Sequence, residues 1–316
     1  MPSAEPVIVS PIVLPEKSAF LPSLLGRLQT SLNYELDAKL PCHEVTDAVE
    51  AAFTAYGIEF ENSRFYRACI QVGVAVGDKM YPHHPVAVKV YTAIYSALAA
   101  IIDDQTNTMR EDVEEFHQRF FANLPQKNPF LALFAATLHQ TQEHYDPIIA
   151  RFILLSSLHY INISLLETRT EYRGMPAKQG GERWAYYFRD KEGICEAYAY
   201  FCFPKATCPD ISVFLQAIPE MCIPINYIND LFSFYKEEAA GEDTNYIHQR
   251  AKYHQKTVAD VMQEMTDETI ACHERVLLIL QGHDGYLDAW LGYVAGFITF
   301  HKSCSRYRLK EIGQGC

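Results

Sequence analysis

The chain has 316 residues, 49% of them hydrophobic and only 21% charged, which excludes a disordered polypeptide and allows one large core. Its formal charge is −12, from 39 acids against 27 bases, and no Lys/Arg-rich run occurs, so nucleic acid is not an expected partner. An acidic chain can still hold an anion where metal ions or a few local cations mediate the contact.

The first seventeen residues, MPSAEPVIVSPIVLPEK, carry four prolines and no basic segment ahead of an apolar one. Residues 1–17 therefore read as a flexible arm, neither a signal peptide nor a helix. Beyond them helical periodicity dominates, predicting helices over 18–33, 44–57, 62–80, 86–103, 110–122, 128–141, 147–168, 182–203, 210–237, 255–280 and 284–311. The breaks are turn-rich: YPHHP at 81–85, NLPQKNP at 123–129, RGMPAKQGGE at 173–182, FPKATCPD at 203–210 and QGHDG at 281–285. No linker or repeat interrupts 18–316, which predicts one all-α domain of about ten helices.

The nine cysteines form no C-x-x-C pair and fall mostly in apolar helical stretches, reading as reduced core residues of an intracellular, cytoplasmic protein. The longest apolar runs, such as YSALAAII and WLGYVAGFITF, fall short of the roughly 18 residues of a membrane span, so none is expected. His139 and His144 lack the HExxH spacing of a zinc hydrolase, and the paired histidines of the YPHHP turn read as surface groups.

Two constellations carry chemistry. Asn229, Ser233 and Glu237 are spaced i, i+4, i+8, so on a helix they fall within about 80° of one face. Three oxygen-bearing side chains in a row can chelate one hard cation such as Mg2+. A solvated stripe on an amphipathic helix has the same spacing, and both readings stand on spacing alone. The second constellation ends the segment YSALAAIIDDQTN, where Asp103 and Asp104 close an apolar helix. Carboxylates at a helix C-terminus oppose its dipole and call for a compensating cation, although a polar loop start reads similarly.

NDLFSFYKE, residues 229–237, resembles the metal-binding signature of class I terpene cyclases, closest to the fungal trichodiene synthase-like family. DDQTN lies where that family has its aspartate-rich motif, with Asn107 in place of its third acid, and FHKSCSRYRLKEI resembles its closing Arg-Tyr element at Arg306 and Tyr307. The resemblance covers roughly residues 60 to 312 and implies a class I terpenoid synthase fold, about ten or more helices around a central cavity.

It further implies a sesquiterpene cyclase that ionises farnesyl diphosphate with three Mg2+ ions. Asp103 is then a metal ligand on one wall, and Asn229, Ser233 and Glu237 hold an ion on the other. Lys236, Arg189, Arg306 and Tyr307 contact the diphosphate, Asp104 pairs with Arg306 as the site closes, and Gly193 marks a helix break. Asp230 and Glu238 lie off the metal-binding face. Phe300 is the preferred aromatic lining, with Tyr95, Phe65 and Trp184 as further candidates set against ordinary core packing. The prenyl cation could also meet water, an amine or another acceptor instead of its own olefin. A homodimer is the assembly the resemblance suggests.

Overall fold

The computed structural model describes residues 19–35 and 42–315; the predicted arm at 1–17 lies outside the described residues. Among the described residues there are α-helices and short turns of 3-10 or π type, and no strand. The helices are α1 (Phe20–Ser31), α2 (His43–Ala55), α3 (Arg64–Ala75), α4 (Val86–Gln105), α5 (Arg110–Phe121), α6 (Pro129–His144) and α7 (Pro147–Glu167). They continue with α8 (Thr170–Arg173), α9 (Arg183–Glu192), α10 (Cys195–Phe201), α11 (Ile218–Ala240), α12 (Tyr246–His254), α13 (Val258–Leu280) and α14 (Asp284–Ser303).

Local chemistry sets most of these ends. Asn128 and Asp146 each accept a hydrogen bond from the backbone two residues on, ahead of Pro129 and Pro147, which occupy the first helical position where a missing N–H costs nothing. Asn245 and Thr257 cap α12 and α13 in the same way, and Gly241 ends α11 in the left-handed conformation that lacks a Cβ penalty only for glycine.

The chain departs from the periodicity-based helices in several places. The segment that periodicity reads as one helix over 182–203 breaks into α9 and α10 at Gly193–Ile194, where the resemblance sets a helix break, with Ile194 at φ 51°. The segment 210–237 begins as a 3-10 turn at Ile211–Val213, and α11 starts only at Ile218. α12 is an additional helix, made possible by its Asn245 cap. The last predicted helix stops at Ser303, giving way to 3-10 turns at Ser305–Tyr307 and Leu309–Ile312. His84, expected at the surface, is buried: its Nε2 lies 2.7 Å from the Phe201 carbonyl and its ring stacks on Tyr81.

One connected cluster of buried apolar side chains runs from Leu21 to Leu309. Within it α4 is packed by α2, α3 and α6, whereas α11 is packed by α10, α13 and α14. The α3–α4 contact is at backbone range: a Cβ on Gly73 would lie 2.3 Å from the Ala93 carbonyl oxygen. Two helices, α4 and α7, are long and apolar enough by composition to cross a membrane, yet 67% and 56% of their apolar windows are buried in this fold, so both serve as core helices. All eight described cysteines are free thiols, six of them buried and Cys42 and Cys304 half-buried.

Candidate active site

The C-terminal end of α4 borders a cavity of about 1090 Å³, whose lining also comes from α7, α8, α9 and α12 and, at Glu238, from the end of α11. Asp103, Arg189, Glu192 and Glu238 lie on this lining, with Tyr172, Trp184 and Phe188 forming an aromatic side of the mouth. Phe188 stacks on Tyr172 at 4.6 Å between centroids, and Trp184 packs against both.

Arg189 organises the α11 wall. Its Nε donates to Asp230 Oδ1 at 2.8 Å and its second amino group to Asn229 Oδ1 at 3.2 Å, while Glu192 Oε2 lies 3.6 Å from the remaining nitrogen. The guanidinium is 8% exposed, so these partners keep a charge that burial would otherwise penalise. The helix break makes room for it. A Cβ on Gly193 would lie 2.1 Å from Asn226 Oδ1 and 2.4 Å from an Arg189 amino nitrogen, so a side chain there would push both groups aside. Ile194, a β-branched residue forced to positive φ, then restarts the chain as α10, a strain of the kind found where the surroundings over-determine a functional backbone.

Around that arginine the three spaced residues are held individually. Asn229 also donates from Nδ2 to His301 Nε2 at 3.2 Å. Ser233 Oγ donates to the Asp230 carbonyl at 3.4 Å, and both side chains are buried. Glu237 accepts from Lys236 Nζ at 3.0 Å through one oxygen and from Asn245 Nδ2 at 3.0 Å through the other. None of the three is an exposed residue, so the solvated-stripe reading is removed. Asp230 is committed to Arg189 and Glu238 to His248, at 2.9 Å.

The α4 side is looser. Asp104 takes both amino groups of Arg306, at 3.1 and 3.5 Å, so the expected pair is already formed, on half-exposed side chains. Asp103 opens onto the cavity with no hydrogen bond among the described residues. Enclosure by the walls, then the charges of Glu192 and Asp104, push it up to about 6, while Arg306 and Lys236 pull the other way. Tyr307 is brought back by the turn after α14 and packs at 4.4 Å on His301 and 5.7 Å on Phe300.

The aromatic candidates separate. Phe300 is buried beside Tyr307 and His301, Tyr95 is a core residue donating or accepting at 2.7 Å with Ser157, and Phe65 packs on Tyr66; only Trp184 lies on the cavity lining.

Residues that the sequence reading passed over belong to the same site. Glu167, at the end of α7, is pushed up to about 9 by burial and by the charges of Glu192 and Asp103, and it hydrogen-bonds to Glu192. Glu167 ends an apolar helix as Asp103 does, so the same dipole argument could have found it. Asn226, one turn before Asn229, leaves both side-chain polar atoms without a partner, as does Asp230 Oδ2. His301 carries no spacing signal at all.

The donor set fits a hard divalent cation. No group of three or more His, Cys, Asp or Glu has metal-holding geometry by itself among the described residues. The oxygen donors here are instead an amide, a hydroxyl and a carboxylate, an arrangement that suits Mg2+ retaining waters or phosphate oxygens in its other positions. Burial raises the pKa values of Asp103, Glu167 and Glu192 alike, and Glu192 adds its charge to the push on both others, a surplus of negative charge that a cation would relieve.

An all-α shell around a cavity, with carboxylates on one helix end and an Asn-Ser-Glu triad on the facing helix, defines a class I terpene synthase. Solved structures agree at the level of fold. Linalool/nerolidol synthase from Streptomyces clavuligerus, in complex with 2-fluorogeranyl diphosphate, superposes with a TM-score of 0.62 at 15% identity, covering 84% of this chain and 97% of that one.

The chain belongs to the trichodiene synthase (TRI5) family, whose profile matches residues 60–315. Among curated relatives, terpene synthase BipA from Cochliobolus sativus is 39% identical over 292 residues, covering 90% of this chain and 89% of that protein. Longiborneol synthase CLM1 from Gibberella zeae is 35% identical over 308 residues, covering 95% and 90%.

Proposed function

We propose that this terpene synthase is a Mg2+-dependent sesquiterpene cyclase of the cytoplasm, which ionises farnesyl diphosphate, cyclises the carbocation and releases diphosphate. The observation that carries the reading is that three cationic side chains, Arg189, Lys236 and Arg306, are each paired with an acid, Arg189 lying on the cavity lining with Asp103 and Glu192, and that an all-oxygen ligand set stands beside them on α11. Acids and bases so interleaved suit a ligand that is itself an anion bridged by cations.

The ligands are Asp103 on α4 and Asn229, Ser233 and Glu237 on α11. Mg2+, three ions of it with diphosphate bound, supplies Lewis-acid neutralisation of the leaving group. The chain's own groups do the rest. Arg189, Lys236 and Arg306, with the Tyr307 hydroxyl, donate hydrogen bonds to the departing diphosphate. Asp104 holds Arg306 in reach of it. Trp184, Phe188 and Tyr172 keep water from the mouth and offer ring faces to a cation, each worth about 0.5 to 2 kcal/mol. The prenyl diphosphate class is also supported by the fold neighbour, which was solved with a fluorinated geranyl diphosphate.

Purified protein incubated with Mg2+ and, separately, geranyl, farnesyl and geranylgeranyl diphosphate tests the reading by product analysis. A cyclic C15 product from farnesyl diphosphate that chelation abolishes is the expected result. Diphosphate release without a cyclic hydrocarbon or alcohol overturns the cyclisation step in favour of capture by an external acceptor. No release, and no thermal stabilisation by Mg2+ with diphosphate, overturns the enzyme reading altogether.

A further inference from the structure

An asparagine is an ambiguous metal ligand, because its side chain ends in an oxygen and a nitrogen of nearly the same shape and only the oxygen coordinates Mg2+. Something must choose between the two. Asn229 is gripped from both ends of its amide. On one side the Arg189 guanidinium, which has donors only, approaches at 3.2 Å, so the atom facing it must be the oxygen. On the other side His301 Nε2 lies 3.2 Å from the amide nitrogen.

The state of that histidine follows from its far nitrogen. Nδ1 lies 2.8 Å from the Phe297 carbonyl, which can only accept, so the ring proton is on Nδ1. Were Nε2 also protonated, Asn229 would have to turn its oxygen toward the histidine and its NH2 toward Arg189, donor against donor. One self-consistent network remains: Nδ1–H donates to Phe297, and bare Nε2 accepts from Asn229 Nδ2. The ring is completely buried and hemmed in by Phe297 and Phe300, both at steep angles, and by the tilted ring of Tyr307, so it cannot easily rotate out of this role.

We propose that His301 is a positioning residue that fixes the Asn229 amide with its oxygen, and not its nitrogen, turned toward the magnesium site. The inference rests on the reading of Asn229 as a Mg2+ ligand. It ascribes to a residue on α14 a part of the metal affinity of α11, acting through a hydrogen bond one step removed from the ion, an arrangement typically worth tenfold or more in affinity.

The test is a thermal-shift titration of the full chain with Mg2+ at saturating inorganic diphosphate. His301→Phe keeps the ring and its stacking but removes the acceptor. The midpoint Mg2+ concentration is expected to rise about tenfold while the metal-free melting temperature stays near that of the wild type. His301→Gln, which can again offer an oxygen to Asn229 Nδ2, is expected to recover most of that loss. In an Asn229→Asp background both atoms are oxygens and orientation no longer matters. There His301→Phe is expected to shift the midpoint by less than about twofold.

An unchanged midpoint in His301→Phe, or an equal shift in both backgrounds, overturns the inference. Should His301→Phe fail to fold, His301→Met, which keeps apolar volume without a ring nitrogen, carries the same expectations. An Asn229→Ala titration indistinguishable from wild type overturns the ligand reading and this inference with it. A large loss in Asn229→Ala with none in His301→Phe overturns the inference alone.

Discussion

The two walls of the cavity are built on different principles. On α11 every proposed ligand is already engaged: Asn229 by Arg189 and His301, Ser233 by the Asp230 carbonyl, Glu237 by Lys236 and Asn245. At the end of α4, Asp103 has no such partner and Asp104 has only a half-exposed arginine. Asn229 is gripped from α9 and α14, and Glu237, in the last turn of α11, is held by Lys236 and by the Asn245 cap that follows, whereas Asp103 at the end of α4 has no such neighbour among the described residues. The α11 wall is therefore preorganised, and the α4 wall gains its order from what binds there.

If that contrast is right, damage to α11 should be severe and damage to α4 graded. Asn229→Ala or Glu237→Ala should lower product formation by at least about a hundredfold with the far-UV circular dichroism unchanged; retention of full rate in both variants would remove α11 from the metal site. Asp230→Ala leaves Arg189 buried without its closest carboxylate and should cost about 3 kcal/mol in denaturant unfolding, a fall in midpoint that Asp104→Ala should not match. Asp104→Ala, which breaks a half-exposed pair, should change stability by less than about 1 kcal/mol and act mainly on KM. A stability loss equal to that of Asp230→Ala would erase the distinction between the walls.

The smallest effect concerns pH. Glu167 is pushed from 4.5 up to about 9, so between those values the folded chain holds a proton that the unfolded chain has released. Its contribution is complete below the unfolded value and is lost as pH rises toward 9. In melts without metal, Glu167→Gln should flatten the decline in stability across that window; an unaltered slope would show that the proton is held elsewhere.

Most helices were legible because their apolar stripes and Pro, Asn or Asp starts are local signals. The misses of periodicity share a cause. The break at Gly193–Ile194 was legible through the resemblance and not through periodicity, because a helical pattern runs on either side of it and Asn226, which packs on Gly193, comes from α11. The end of α14 at Ser303 likewise answers to tertiary packing, since Tyr307 folds back onto His301. The Asn229-Ser233-Glu237 triad was legible as a spacing, and the resemblance separated it from a surface stripe before burial did. His301 was not, because the partner that gives it a role, Asn229, stands 72 residues away, and Asn226 was not, because its unpartnered amide follows from burial and not from spacing. Phe300 was legible as a residue near the Arg-Tyr element but is placed in the core beside it, where Trp184 lies on the cavity lining.

The contact at Gly73 has a mechanical consequence. With the backbone of α3 this close to Ala93 and Ala97 of α4 at Gly73, sliding α4 by even one turn, about 5.4 Å, would drive its neighbouring side chains into α3. α4 is thus the fixed jaw of a vise and Asp103 its datum mark. What binding orders at this end is therefore the side chains of Asp103 and Asp104 and not the helix axis, and a redesign of the chamber has to keep residue 73 without a side chain.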